Sequence, residues 1–64
     1  MSYNYYLKVY KGTFGTFTGM CLVRKMGEYV DGVSHFMRRE TKAEAMKDAK
    51  DIKEILMNIY EKEE

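Results

Sequence analysis

The segment "TKAEAMKDAKDIKEILMNIYE", Thr41 to Glu61, has one apolar face and no proline or glycine, so the residues before it must supply what covers that face. Ala45, Ala49, Ile52, Leu56 and Ile59 recur at spacings of four, three, four and three, the period of an amphipathic helix. "TKAE" is a capping box. The Thr41 hydroxyl can accept from the Glu44 amide, and the Glu44 side chain can return to Thr41. Lys47 with Asp51 and Lys50 with Glu54 lie at i,i+4 on the polar side, each pair contributing roughly a few tenths of a kcal/mol. A helix over about residues 41–61 is roughly 30 Å long, the length of a strand of about nine residues.

Three strand-like segments precede it. Residues 3–11, "YNYYLKVYK", alternate: Tyr5, Leu7 and Val9 point one way, Tyr6, Lys8 and Tyr10 the other. Residues 16–26, "TFTGMCLVRKM", contain a continuous apolar run from Met20 to Val23, which suits a central strand. Gly27 ends that run in a tight turn. Residues 28–39, "EYVDGVSHFMRR", read as a third strand, with Gly32 marking a bulge or a close backbone approach. The predicted architecture is α+β, a three-stranded antiparallel meander followed by one C-terminal helix (β-β-β-α), in a single domain over residues 1–64.

A chain of 64 residues buries little surface and leans on disulfides, a metal or a partner. Cys21 is the only cysteine and His35 the only histidine, so an internal disulfide is impossible and a tetrahedral zinc site lacks ligands. No metal or cofactor is expected, and self-association is the remaining support. Ile55, Met57 and Tyr60 widen the helix's apolar sector beyond what a small sheet needs. They nominate its C-terminal half as the interface of a homodimer or higher oligomer. The start "MSYNYYLKVY" lacks the basic-then-apolar pattern of a leader, and no apolar stretch approaches the roughly 20 residues of a membrane span. A cytoplasmic protein that avoids membranes is expected.

"KGTFGTFTGM", residues 11–20, admits two readings. A phosphate-binding P-loop needs a lysine and a hydroxyl opening a helix, and here the next residues are strand-like. The hairpin reading places Gly12 and Gly15 at positive φ and Phe14 at the tip, where it could wedge into a partner. No catalytic set assembles. Ser34 and His35 are neighbours on a strand and face opposite ways. A Cys21–His35 pair across two strands needs both to face the same way, and Cys21 sits in an apolar run, where a thiol is inert. The helix carboxylates alternate with lysines as a solvated surface. A non-enzymatic protein is expected.

The net charge of +1 divides unevenly: six Lys/Arg against three Asp/Glu over residues 1–40 give +3, and five against seven over 41–64 give −2. Lys8 lies between Tyr6 and Tyr10, Arg24 and Lys25 sit on the second strand, and Arg38 and Arg39 end the third. With the helix on one face, the other would offer Tyr6, Lys8, Tyr10 and one residue of each basic doublet. Such a face suits nucleobase stacking with phosphate contacts. It equally suits a protein interface or an ordinary solvated surface.

The element order with "ETKAEAMKDA" opening the helix resembles the arm-type DNA-binding domains of phage integrases and the related Apetala-type domains of plants. That resemblance implies DNA reading by the sheet through Arg24, Lys25, Arg38 and Arg39. Thr41, Glu44, Ala45 and Ala49 also match the T-x-x-E-A-x-x-x-A helix of the HicB-type antitoxin fold. In size and style the chain is similar to accessory proteins of phages and mobile elements. Such a likeness implies an oligomeric, non-enzymatic inhibitor that occupies a host or defence factor, or sequesters a small anionic nucleotide. The alternative it leaves is a sheet-reading nucleic-acid-binding module.

Overall fold

The structure, a computed structural model, describes residues 3–62. Strands β1 (Asn4–Lys11), β2 (Phe17–Lys25) and β3 (Glu28–Ser34) are followed by helix α1 (Lys42–Glu61). The sheet is an antiparallel meander in the order β1-β2-β3, the α+β arrangement the alternation predicts. Thr41 caps the helix, its hydroxyl accepting from the Glu44 amide at 3.2 Å. The second arm of the box closes on the hydroxyl itself, which donates to the Glu44 carboxylate at 3.1 Å.

The helix lies over β1 and β2 and barely reaches β3. Cys21, Val23, Ala45, Ala49, Ile52 and Leu56 form the buried core, with Tyr3, Tyr5, Leu7, Val33 and Tyr60 packed around it. The closest approach is at Gly19. A Cβ there would overlap the Ala45 carbonyl oxygen and stand 2.9 Å from the Ala49 nitrogen. Three small residues, Gly19, Ala45 and Ala49, thus set the distance between helix and sheet. The buried stripe ends on Tyr60 rather than on Ile59. Tyr60 packs at a 42° tilt against Tyr3 (ring centroids 5.2 Å apart) and donates to Asp31 at 2.8 Å, while Ile59 is 57% exposed.

Strand β3 stops at Ser34, five residues short of the predicted end. After a last backbone bond from the His35 amide to the Gly19 carbonyl at 2.8 Å, residues 36–38 leave the sheet, and the chain returns for one bridge between Phe17 and Arg39, with both backbone hydrogen bonds at 2.7 Å. Two side-chain interactions hold this excursion. His35 Nδ1 accepts from the Met37 amide at 3.1 Å, and the Arg39 guanidinium reaches across to Asp48 on the helix.

Both hairpins turn on positive φ at two successive positions, the pair a type I′ turn demands, the first inside the five-residue loop 12–16 and the second as a two-residue turn. Phe14 (φ 58°) with Gly15 (φ 72°) makes the first and Met26 (φ 54°) with Gly27 (φ 81°) the second. Gly12 is extended at φ −100°, so the left-handed pair is Phe14–Gly15 and not the two glycines. Asparagine or aspartate normally occupies the first position. Here it holds an exposed bulky residue at both turns, Phe14 being 98% and Met26 84% exposed. Phe14→Asn and Met26→Asn should each raise stability by about 0.5–1 kcal/mol, read as a higher urea midpoint. A lower midpoint would mean that these side chains pack on the fold.

Candidate functional site

The sheet face away from the helix is uncovered. Strand alternation aims Tyr6, Lys8 and Tyr10 of β1 onto it, and the register sets them beside Leu22, Met20 and Thr18 of β2. Arg24 comes next on β2, opposite Tyr29 of β3. Tyr6 and Tyr10 are each 45% exposed and Tyr29 63%. Tyr6, Lys8, Leu22, Arg24 and Gly27 line a shallow depression on this face.

Local contacts hold these groups in place. The Tyr10 hydroxyl reaches across β2 and donates to Ser34 Oγ at 3.3 Å, over the buried Thr18. One Arg24 nitrogen donates to the Gly27 carbonyl at 3.2 Å, so the turn aims the guanidinium and leaves its other donors free. Gly32 is a seat for Tyr29. A Cβ at Gly32 would come within 2.8 Å of the Tyr29 hydroxyl and 3.0 Å of Leu22 Cδ2. The close approach expected at Gly32 is therefore that of a tyrosine ring. The bulge lies two residues earlier, where β3 spends Val30 between the partners of Val23 and Arg24.

The face carries one sign of charge. Lys8 and Arg24 project from it, and among the described residues no Asp or Glu does. Glu28 pairs with Lys25 on the helix side, Asp31 turns to Tyr60, and the remaining carboxylates come after β3 in the chain.

Of the predicted cluster, Tyr6, Lys8, Tyr10 and Arg24 share the open face, with Tyr6, Lys8 and Arg24 around one depression and Tyr10 further along β1 beside Thr18. Lys25 alternates to the helix side, where its ammonium sits 4.7 Å from the centre of the Tyr3 ring. Arg38 is exposed on the excursion after β3. Arg39 faces the helix and binds Asp48 through two hydrogen bonds, of 2.7 and 3.1 Å. Neither arginine ends a strand, because β3 stops at Ser34. Of the expected contact residues on α1, Ile55 is 58% exposed, Met57 is half-buried and Tyr60 is engaged within its own chain. Tyr29 belongs to the face although alternation does not select it.

Cys21 is fully buried, and burial pushes its thiol pKa up. Ser34 bonds to Tyr10 on the open face, while His35 Nδ1 lies 3.6 Å from Asp48 Oδ2 on the helix side. The Tyr5 hydroxyl is buried without a hydrogen bond. Burial first, and the neighbouring Glu61 carboxylate next, push its pKa up to about 12. Among the described residues, no group of three Asp, Glu, His or Cys is placed to hold a metal ion, and no helix is long and apolar enough to cross a membrane. Comparison with protein-family models, curated proteins and solved structures finds no match to this chain.

Proposed function

We propose that the protein is a non-enzymatic binding module whose open sheet face receives a ligand carrying both a flat aromatic ring and phosphate. The observation that carries this reading is the gathering of Tyr6, Tyr10 and Tyr29 with Lys8 and Arg24 on one face that has no carboxylate among the described residues. Exposed tyrosine rings stack on nucleobases, contributing roughly 1–3 kcal/mol per base. A guanidinium aimed by its own turn presents paired donors to a phosphate. The ligand is either a free nucleotide or a single nucleic-acid strand. The first source fits a small phage-type accessory protein that sequesters a nucleotide in the host cytoplasm, the second a sheet-reading nucleic-acid binder.

Binding of labelled oligothymidylate and oligouridylate by anisotropy, beside calorimetry with a nucleotide panel, separates the two. Lys8→Glu combined with Arg24→Glu should weaken whichever ligand binds by about 100-fold or more, the effect of losing two charge-assisted contacts. Tyr6→Ala should weaken it by about 5- to 100-fold. Affinity for a strand should also fall steeply with added salt. Unchanged affinity in the charge-reversed protein, or no binding of either class at micromolar concentration, would sink this reading.

A second reading rests on a different surface. Phe14 is 98% and Phe36 88% exposed, and both lie at the end of the sheet where Phe17 pairs with Arg39. Two exposed rings at one end, that of Phe36 backed by the His35 imidazole, suit docking on a protein such as a host or defence factor. That reading predicts loss of the target with Phe14→Ser and Phe36→Ser, and indifference to Lys8→Glu.

A further inference from the structure

The two edges of the sheet differ. The hydrogen bonds Gly12 N–Thr16 O, His35 N–Gly19 O and the Phe17–Arg39 pair fix the alternation of the ladders. Even-numbered residues of β1 bond inward to β2, so Tyr5, Leu7 and Val9 turn their N–H and C=O groups outward. On β3 the outward groups belong to even-numbered residues such as Gly32. Edge β3 is obstructed. The Asp31 carboxylate accepts from the outward Gly32 amide at 2.8 Å, Val30 bulges, and the chain leaves the sheet after His35. Edge β1 is eight regular residues with no bulge and no proline.

We propose that a second copy of this chain pairs with β1, antiparallel strand to strand, to make one continuous six-stranded sheet whose open face is a single joint ligand surface. This rests on the ligand site proposed above, because each copy contributes Tyr6, Lys8 and Tyr10 to the surface beside its partner's.

Charge and strand overlap select the register, since an axis at Leu7 pairs residues 4–10 of both copies. A two-fold axis at Lys8 would set two lysines directly opposite, which is unfavourable. An axis at Leu7 sets Lys8 opposite Tyr6 of the second copy and Asn4 opposite Tyr10, and it pairs the outward groups of Leu7 with their equivalents. Helix spacing agrees. With strands about 4.8 Å apart and each helix over β1 and β2, the two helices would run roughly 10–12 Å apart, close to the packing distance of helices. The helix flank away from Asp48 carries Met46, Lys53 and Met57, all half-buried, and these would face their equivalents. On that flank Lys53 of each copy would approach Lys53 of the other across the axis. Their repulsion is screened by salt. Association should therefore tighten with added salt, opposite to the binding of a nucleic-acid strand.

Sedimentation equilibrium of the full chain should give twice the 7.6 kDa chain mass, with a dissociation constant that falls as salt rises. Amide exchange by NMR should show Leu7 and Val9 protected together with Tyr6, Lys8 and Tyr10. In a monomer only the even-numbered amides would be slow. Val9→Pro removes one outward donor and no bond to β2, so it should yield a monomer that keeps the even-numbered protection. A wild-type monomer at several hundred micromolar overturns the proposal. So does a dimer whose Leu7 and Val9 amides exchange freely, or one that dissociates on Ile55→Lys while Val9→Pro leaves it intact. If Val9→Pro unfolds, the wild-type exchange pattern still decides. A monomer that binds nucleotide would remove the dimer and keep the site; a dimer of this register that binds neither nucleotide nor strand would do the reverse.

Discussion

Gly19→Ala is expected to remove most of the stability of this fold. The added methyl would overlap the Ala45 carbonyl oxygen and press on the Ala49 nitrogen, both backbone atoms of the helix. No rotamer change can relieve a clash with backbone, so the helix must retreat from β2. Retreat loosens Ile52 and Leu56 from Cys21 and Val23, the centre of the core. Overpacking of this kind costs about 1–3 kcal/mol and sometimes more. A single core in a chain this short supplies only about 3–5 kcal/mol. The variant should therefore be largely unfolded at 37 °C and show a urea midpoint well below wild type by circular dichroism. Gly12→Ala is the control. Gly12 is extended, and its nearest neighbour is the movable Thr16 hydroxyl at 3.2 Å. It should change stability little. A Gly19→Ala protein with a wild-type midpoint would show that the helix does not approach β2 at this point.

The helix is legible in the sequence because two independent signals agree, a capping threonine and an apolar stripe. The first strand is legible from period-two alternation and the second from its continuous apolar run. What escapes is any effect that parity alone does not carry. In β3 the aromatic Phe36 and the apolar Met37 continue a strand-like composition, yet the chain leaves the sheet there because Arg39 is drawn to Asp48, nine residues later. Asp48 lies between Ala45 and Ala49 on the buried stripe, although its neighbours in sequence make it look like one more surface acid. An acid on an apolar stripe needs a cation, and that is the signal that takes Arg39 off the binding face. On that face, Tyr6, Lys8, Tyr10 and Arg24 follow from alternation. Tyr29 does not. In a regular strand, residues 29 and 32 point to opposite sides, and only the extra residue Val30 places the Tyr29 ring over Gly32.

The Asp48–Arg39 pair should also invert the acid response of the fold, depending on which partner is removed. The Arg39 hydrogen bonds, and then its charge, hold the Asp48 carboxyl below the usual carboxylate range, while burial opposes them. A carboxylate whose folded pKa is depressed contributes stability that is complete above its unfolded value, near 3.9, and is lost as pH falls through the folded value. Wild type should therefore lose urea resistance below about pH 4. Asp48→Asn removes that contribution: its midpoint should be lower at pH 7, flatter on the acid side, and converge with wild type near pH 2. Arg39→Ala should be the more damaging change at pH 7, because it leaves a nearly buried carboxylate without its guanidinium. With Arg39 gone, burial is the first remaining influence, opposed by His35 and Lys47, and is expected to push the Asp48 pKa up. A raised carboxyl pKa reverses the sign, so the Arg39→Ala protein should gain stability as pH falls from 7 toward 5. Urea midpoints of the three proteins from pH 2 to 8 test this directly. Parallel curves would mean that the pair contributes nothing specific, and that something other than Arg39 holds the chain between β3 and the helix.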